Sequence, residues 1–106
     1  MHIHRASTNE AREVAVMLGE LLNEIMSTIG EQVFSFSLDE TTARLEDFIV
    51  REQYFVFVAQ SGDAGPVGFI ALTESHALYA EGAFGTIPEL FVRPAFRSQN
   101  VGLRLV

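Results

Sequence analysis

The sequence contains no cysteine, no tryptophan and only three prolines in 106 residues, and all seven of its basic residues are arginine. Without cysteine there can be no disulfide scaffold, no Cys-based zinc site and no thiol nucleophile. Seven arginines against fourteen acidic residues leave a net charge of -7. That balance repels phosphate backbones and anionic lipid surfaces, so neither nucleic acid nor membrane is an expected partner. No apolar run reaches the roughly 18 residues a spanning helix needs. The opening MHIHRASTNEAREV lacks the charged-then-apolar order of a signal peptide. Internal repeats, low-complexity segments and linkers are missing too. The expectation is one soluble, cytoplasmic domain over residues 1–106.

What is present is core material, with 48% hydrophobic residues and nine Phe. Such a composition does not suit a disordered chain. A short strand centres on Ile3 within His2 to Arg5. Ser7 followed by Glu10 predicts a capping-box helix start. Ala11, Val14, Ala15, Leu18, Leu21, Leu22, Ile25, Met26 and Ile29 then recur at three- and four-residue steps, one stripe of a long helix ended by Gly30. After a connector from Glu31 to Ser37, a second Ser-x-x-Glu opens a helix expected to run to about Glu52, with Leu45, Phe48 and Ile49 inward. YFVFVAQ, Tyr54 to Gln60, predicts a strand buried on both faces. SGDAGP turns it into VGFIALTES, Val67 to Ser75, where Gly68 marks a bulge or a close backbone approach. A strand from Ala83 to Val92 follows, and Pro88 requires it to lie at an edge or to bulge. The order β-α-α-β-β-β-α is an α+β pattern.

The stretch RPAFRSQNVGL, Arg93 to Leu103, carries the most chemistry. A strand ends at Val92, Pro94 forces a turn, and a helix is expected from Gln99 to Val106. The first N–H groups of a helix lack internal partners and sit at the positive end of its dipole. A strand-to-helix turn with a small residue that permits close approach therefore suits a phosphate. Arg93 and Arg97 would add charge-assisted contacts.

ELFVRPAFRSQNVGLRLV resembles the fourth strand and following helix of the GCN5-related N-acetyltransferase (GNAT) superfamily. That family has V-x-P-x-x-R and then an R/Q-x-x-G-x-G/A turn that wraps the pyrophosphate of an acyl-coenzyme A. Here the turn falls on Arg97, Ser98, Gln99, Asn100, Val101 and Gly102, with Asn100 in place of the first glycine. The hairpin around Val67-Gly68 resembles the second and third strands of the family. The resemblance implies an acyl-CoA N-acyltransferase-like fold with a mixed, mainly antiparallel sheet, lacking the C-terminal strands. The family continues through a longer helix, a fifth strand and further elements, so Val106 is read as a truncation point.

It further implies acetyl-CoA as co-substrate, no metal, and a small-molecule or peptide amine as acceptor. Glu89 is the candidate general base, because a carboxylate on the fourth strand often serves so. Leu90, Phe91 and Val92 would pair with the pantetheine through their backbone. Arg97, Gln99, Asn100, Val101, Gly102 and Leu103 would hold the pyrophosphate. Glu74 and Glu81 are read as surface charges, Ser7 and Ser37 as helix caps, and His2 and His4 as surface residues. Tyr54 and Tyr79 could protonate a thiolate, but no general acid is assigned. Phe34 and Phe36 are read as core rather than as acceptor lining. Two rival readings stand beside the enzyme: a non-catalytic module that self-associates as a homodimer through its exposed strand edge, and an anion-binding protein resting on the turn alone.

Overall fold

The computed structural model describes residues 1–32, 35–76, 83–99 and 101–106. Four strands, β1 (His2–Arg5), β2 (Phe55–Ser61), β3 (Gly65–His76) and β4 (Ala83–Val92), form one sheet in the order β1-β2-β3-β4. Each neighbouring pair is antiparallel. Helices α1 (Ala11–Ile29) and α2 (Leu38–Val50) pack together, and the short α3 (Val101–Leu105) follows β4. The α+β class is therefore as expected.

Alternation along β2 separates two cores. Val56 and Val58 join Val14, Met17, Leu45, Phe69 and Phe91 in one cluster with α1 and α2. Ala59, Val67, Ile70 and Val92 join Val101 and Leu105 of α3 in the other. Burying a side chain of this size stabilises the fold by about 1.5–3 kcal/mol, so α3 is held mainly by Val101 and Leu105. Val106, which follows them, is 76% exposed.

Several boundaries move for physical reasons. Ser7 does precede a helical turn, and its N–H donates to Glu10 at 3.3 Å, but Thr8–Glu10 is a 3-10 turn and the α-helix begins at Ala11. The apolar stripe of α1 holds only in its first half. Ala11, Val14, Ala15 and Met17 are buried, while Ile25 and Ile29 are 37% and 52% exposed. The helix outruns the layer it packs on, and Met17, off the expected stripe, is enclosed where the packing is deepest.

The hairpin turn shrinks to Gly62–Ala64, because Ser61 pairs with Gly65 and Gln60 with Pro66. Pro88 satisfies both expectations at once. β4 is the edge of the sheet, and the register slips between Ala71 and Thr73, which face Glu89 and Thr86. Gly68 is a close approach: a Cβ there would lie 2.9 Å from the Phe91 carbonyl oxygen. Phe36 packs its ring against Gly19, consistent with a core role; Phe34 lies outside the described residues.

Candidate active site

β4 presents alternate residues to opposite sides of the sheet. Phe91 enters the helix-side core, whereas Val92 belongs to the α3-side core. Glu89, in step with Phe91, faces the helices. There it lines a cavity of about 110 Å³ between α1, α2 and the sheet, bounded by Leu18, Leu45, Phe48, Val56, Phe69 and others. The remaining polar lining is Thr41, Arg44 and Tyr54.

Tyr54 is placed by the end of α2. Glu52 turns into the left-handed region with φ 56°, and the N–H groups of Gln53 and Tyr54 both donate to the Phe48 carbonyl at 2.8 and 3.3 Å. The tyrosine ring then lies against Phe48 with centroids 5.0 Å apart. Its side chain lines the same cavity as Glu89. Burial pushes the Glu89 carboxyl above its ordinary value, and the hydrogen bond from Tyr54 opposes part of that rise. Tyr54 is itself raised, first by burial and then by the Glu89 charge. Burial that raises the proton affinity of a carboxyl is the environment in which carboxylate bases are tuned upward.

The turn after β4 is organised differently. Pro94–Gln99 forms 3-10 helix, and the α-helical segment starts at Val101, later than the expected Gln99. Arg93 donates twice to Glu20, at 3.1 and 2.8 Å, and once to the Pro66 carbonyl at 2.8 Å. Arg97 donates to both carboxylate oxygens of Glu24 at 2.8 and 2.6 Å and to the Val92 carbonyl at 2.7 Å. Its guanidinium also lies 5.6 Å from the Phe91 ring centre. Both arginines are thus engaged by α1, and an anion at this turn would share Arg97 with Glu24. The i,i+4 spacing of Glu20 and Glu24 matches that of Arg93 and Arg97. That matched spacing is the signal in the sequence for this clamp, which composition and the turn motif do not supply.

The other expected positions separate. Leu90 and Leu103 are exposed, at 41% and 77%, while Val101 is fully buried. Gln99 is exposed at the end of the 3-10 segment. At Gly102 an added Cβ would meet nothing nearer than Val92 Cγ2 at 3.9 Å, so packing within the chain does not demand glycine there. Asn100, Tyr79 and Glu81 lie outside the described residues. Glu74 is exposed, away from the cavity. His2 and His4 stack at 5.1 Å, and His4 Nε2 contacts Glu10 Oε2 at 2.5 Å, so His4 is part-buried rather than a free surface residue. Among the described residues no three His, Cys, Asp or Glu side chains gather to hold a metal. No helix among them is long and apolar enough to cross a membrane.

Residues 18–106 match the model of the Acetyltransferase (GNAT) family. A comparison with curated proteins finds no match. Solved structures similar to the chain include an integron cassette protein from the mobile metagenome of Cole Harbour Salt Marsh (TM-score 0.79, 19% identity, covering 94% of this chain and 61% of that one). A possible acetyltransferase from Clostridium difficile 630 gives TM-score 0.74 at 18% identity, covering 98% of this chain and 64% of that one. An aminoglycoside acetyltransferase from an uncultured soil metagenomic sample, solved in complex with sisomicin, gives TM-score 0.69 at 19% identity, covering 98% and 63%. At these identities the likeness establishes the fold. The chain spans less than two thirds of the length of each of these three structures.

Proposed function

The chain belongs to the acetyltransferase (GNAT) family, and from that premise we propose that residues 1–106 form one domain of a cytoplasmic N-acetyltransferase that moves an acetyl group from acetyl-CoA to an amine. The observation that carries this reading is the placement of Glu89: a half-buried carboxyl on the edge strand that runs directly into the Arg93–Leu103 turn.

The described residues fit the co-substrate through backbone more than charge. On the outer side of β4 no other strand occupies the backbone groups of Leu90, Phe91 and Val92 among the described residues, and they would pair with the pantetheine amides. The N–H groups from Gln99 to Leu103, with Gly102 leaving space, would hold the pyrophosphate, and Arg97 would add charge by sharing its fork with Glu24. Bound there, acetyl-CoA supplies the thioester acyl group. Glu89 would take the proton from the amine as its nitrogen replaces sulfur on the acyl carbon, and coenzyme A would leave as a thiolate that takes up a proton from solvent. The apolar walls of the cavity lower the local dielectric around Glu89.

The test is a titration of the chain with coenzyme A, followed by amide NMR shifts. Perturbation of Val101, Gly102 and Leu103 together with Leu90 to Val92 is expected. Silence at millimolar ligand would sink the reading for this chain. A second reading, self-association through β4, is favoured by the exposure of Ile87 and Leu90 on that edge, at 46% and 41%. A concentration-independent monomer mass in sedimentation would remove it.

A further inference from the structure

The cavity beside Glu89 contains a second charge of opposite sign. Thr41, Arg44, Leu45 and Phe48 fall at i, i+3, i+4 and i+7 on α2, so they share the face of the helix that lines it. Four of the seven arginines are bound to carboxylates: Arg12 to Asp39, Arg51 to Asp47, Arg93 to Glu20 and Arg97 to Glu24. Arg5 lies over the Phe55 ring. Arg44 pairs with none of the described carboxylates, although Glu40 stands one turn before it on the same helix. It is an exposed cation at the rim of an apolar cavity whose one lining carboxylate is Glu89.

Size and polarity narrow what can enter. At about 110 Å³ the cavity is smaller than the roughly 150 Å³ apolar cavity that accepts benzene, a volume that a branched aliphatic group fills. Its walls are mostly valine, leucine, phenylalanine and alanine, with Thr41 and Tyr54 the hydroxyls among them, so most of its surface suits an aliphatic group better than a polyhydroxylated one. A polyamine would find one carboxylate to meet its charges and an arginine to oppose them. An amine bearing an anionic group would find a partner for each charge.

We propose that the acceptor is a small amino acid-like amine with an aliphatic side chain, its amine at Glu89, its side chain in the cavity and its carboxylate on Arg44. This inference rests on the acetyltransferase reading for the role of the amine, and on the cavity alone for the anion and the aliphatic group. Arg44 is then a specificity-determining residue: its fork fits a carboxylate in two-pronged fashion, which a lysine would not reproduce.

The experiment titrates the chain with three probes, L-leucine, L-leucinamide and 4-methylpentanoate, followed by NMR and calorimetry. Leucine is expected to shift resonances of Arg44, Phe48 and Glu89. Leucinamide, lacking the anion, should bind about tenfold more weakly, the scale of one charge-assisted contact. Methylpentanoate, lacking the amine, should also bind more weakly than leucine. Arg44→Gln should erase the preference for leucine over leucinamide while leaving leucinamide binding unchanged. An amide NMR spectrum of this variant like that of the parent protein shows that the substituted, exposed site has not unfolded the chain. Equal binding of leucine and leucinamide, unchanged preference in Arg44→Gln, or no shift with leucine at tens of millimolar would each overturn the proposal. Coenzyme A binding without leucine binding removes this inference and leaves the acetyltransferase reading. Leucine binding without coenzyme A binding does the reverse.

Discussion

Glu89 and Glu24 sit near the two ends of one structural unit and are used in opposite ways. Glu89 faces an apolar cavity, and burial pushes its carboxyl up. Glu24 lies on the exposed side of α1, and the Arg97 fork holds it down. The first has its affinity for a proton raised by burial. The second is spent on docking the turn to α1, beside the matching pair of Glu20 and Arg93. The lesson is that a carboxylate paired with an arginine at a turn and a carboxyl half-buried in an apolar cavity are different objects, even when both lie beside the same strand. Charge near a phosphate-type turn is structural here, and the chemical potential of the site lies one strand-length away.

The largest break in this comparison comes where the two regions share backbone. Gly68 abuts the Phe91 carbonyl, between Glu89 and Arg93. Gly68→Ala must push β4 outward, so a loss of about 1–3 kcal/mol is expected in denaturant unfolding, with NMR shifts at both Glu89 and Arg93. A loss confined to one region would show that the strand does not couple them.

Arg93→Ala comes next. It removes the two bonds to Glu20 and leaves the Pro66 carbonyl without its donor. Partial exposure of the pair keeps the effect to about 1–2 kcal/mol. The turn should loosen, seen as faster amide exchange at Phe96 and Val101, while the Glu89 titration stays put.

The smallest and most diagnostic effects are in pH. The folded-state value of Glu89 is raised, so its contribution to stability is present below the ordinary carboxylate value and is lost as pH rises through the folded one. Glu89→Gln should therefore gain stability relative to the parent protein across that window and hold the gain above it. For Glu24 the folded value is depressed, so its contribution is present above the ordinary value of 4.5 and is lost as pH falls through the folded one. Arg97→Ala should flatten only that acid limb. Urea midpoints measured at several pH values check both, and a Glu89→Gln profile parallel to the parent's would remove the contrast.

Much of this was legible in the chain. The long first helix ended by Gly30, the second helix from Ser37, the hairpin around Gly68 and the edge or bulge required by Pro88 all follow from local periodicity and turn chemistry, which act over a few residues. Glu89 was readable as a candidate by resemblance of the segment around it. Arg44 was not, because nothing within one turn of it marks it as different from Arg51, which pairs with Asp47 at i+4 spacing. The early end of burial on α1 was also invisible, since Ile25 and Ile29 keep the apolar period yet stand 37% and 52% exposed.

By itself the sequence determined which elements form and in what order, because hydrophobic period, caps and breakers are properties of neighbouring residues. It also determined the family, through the run from Glu89 to Gly102. Only the tertiary structure decided which charges are used up. Arg93 and Arg97 meet Glu20 and Glu24 across 73 residues of chain, and Tyr54 meets Glu89 across the sheet. A pKa, an ion pair and an empty cavity depend on what packs opposite, and that partner is set by how the helices and the sheet come together.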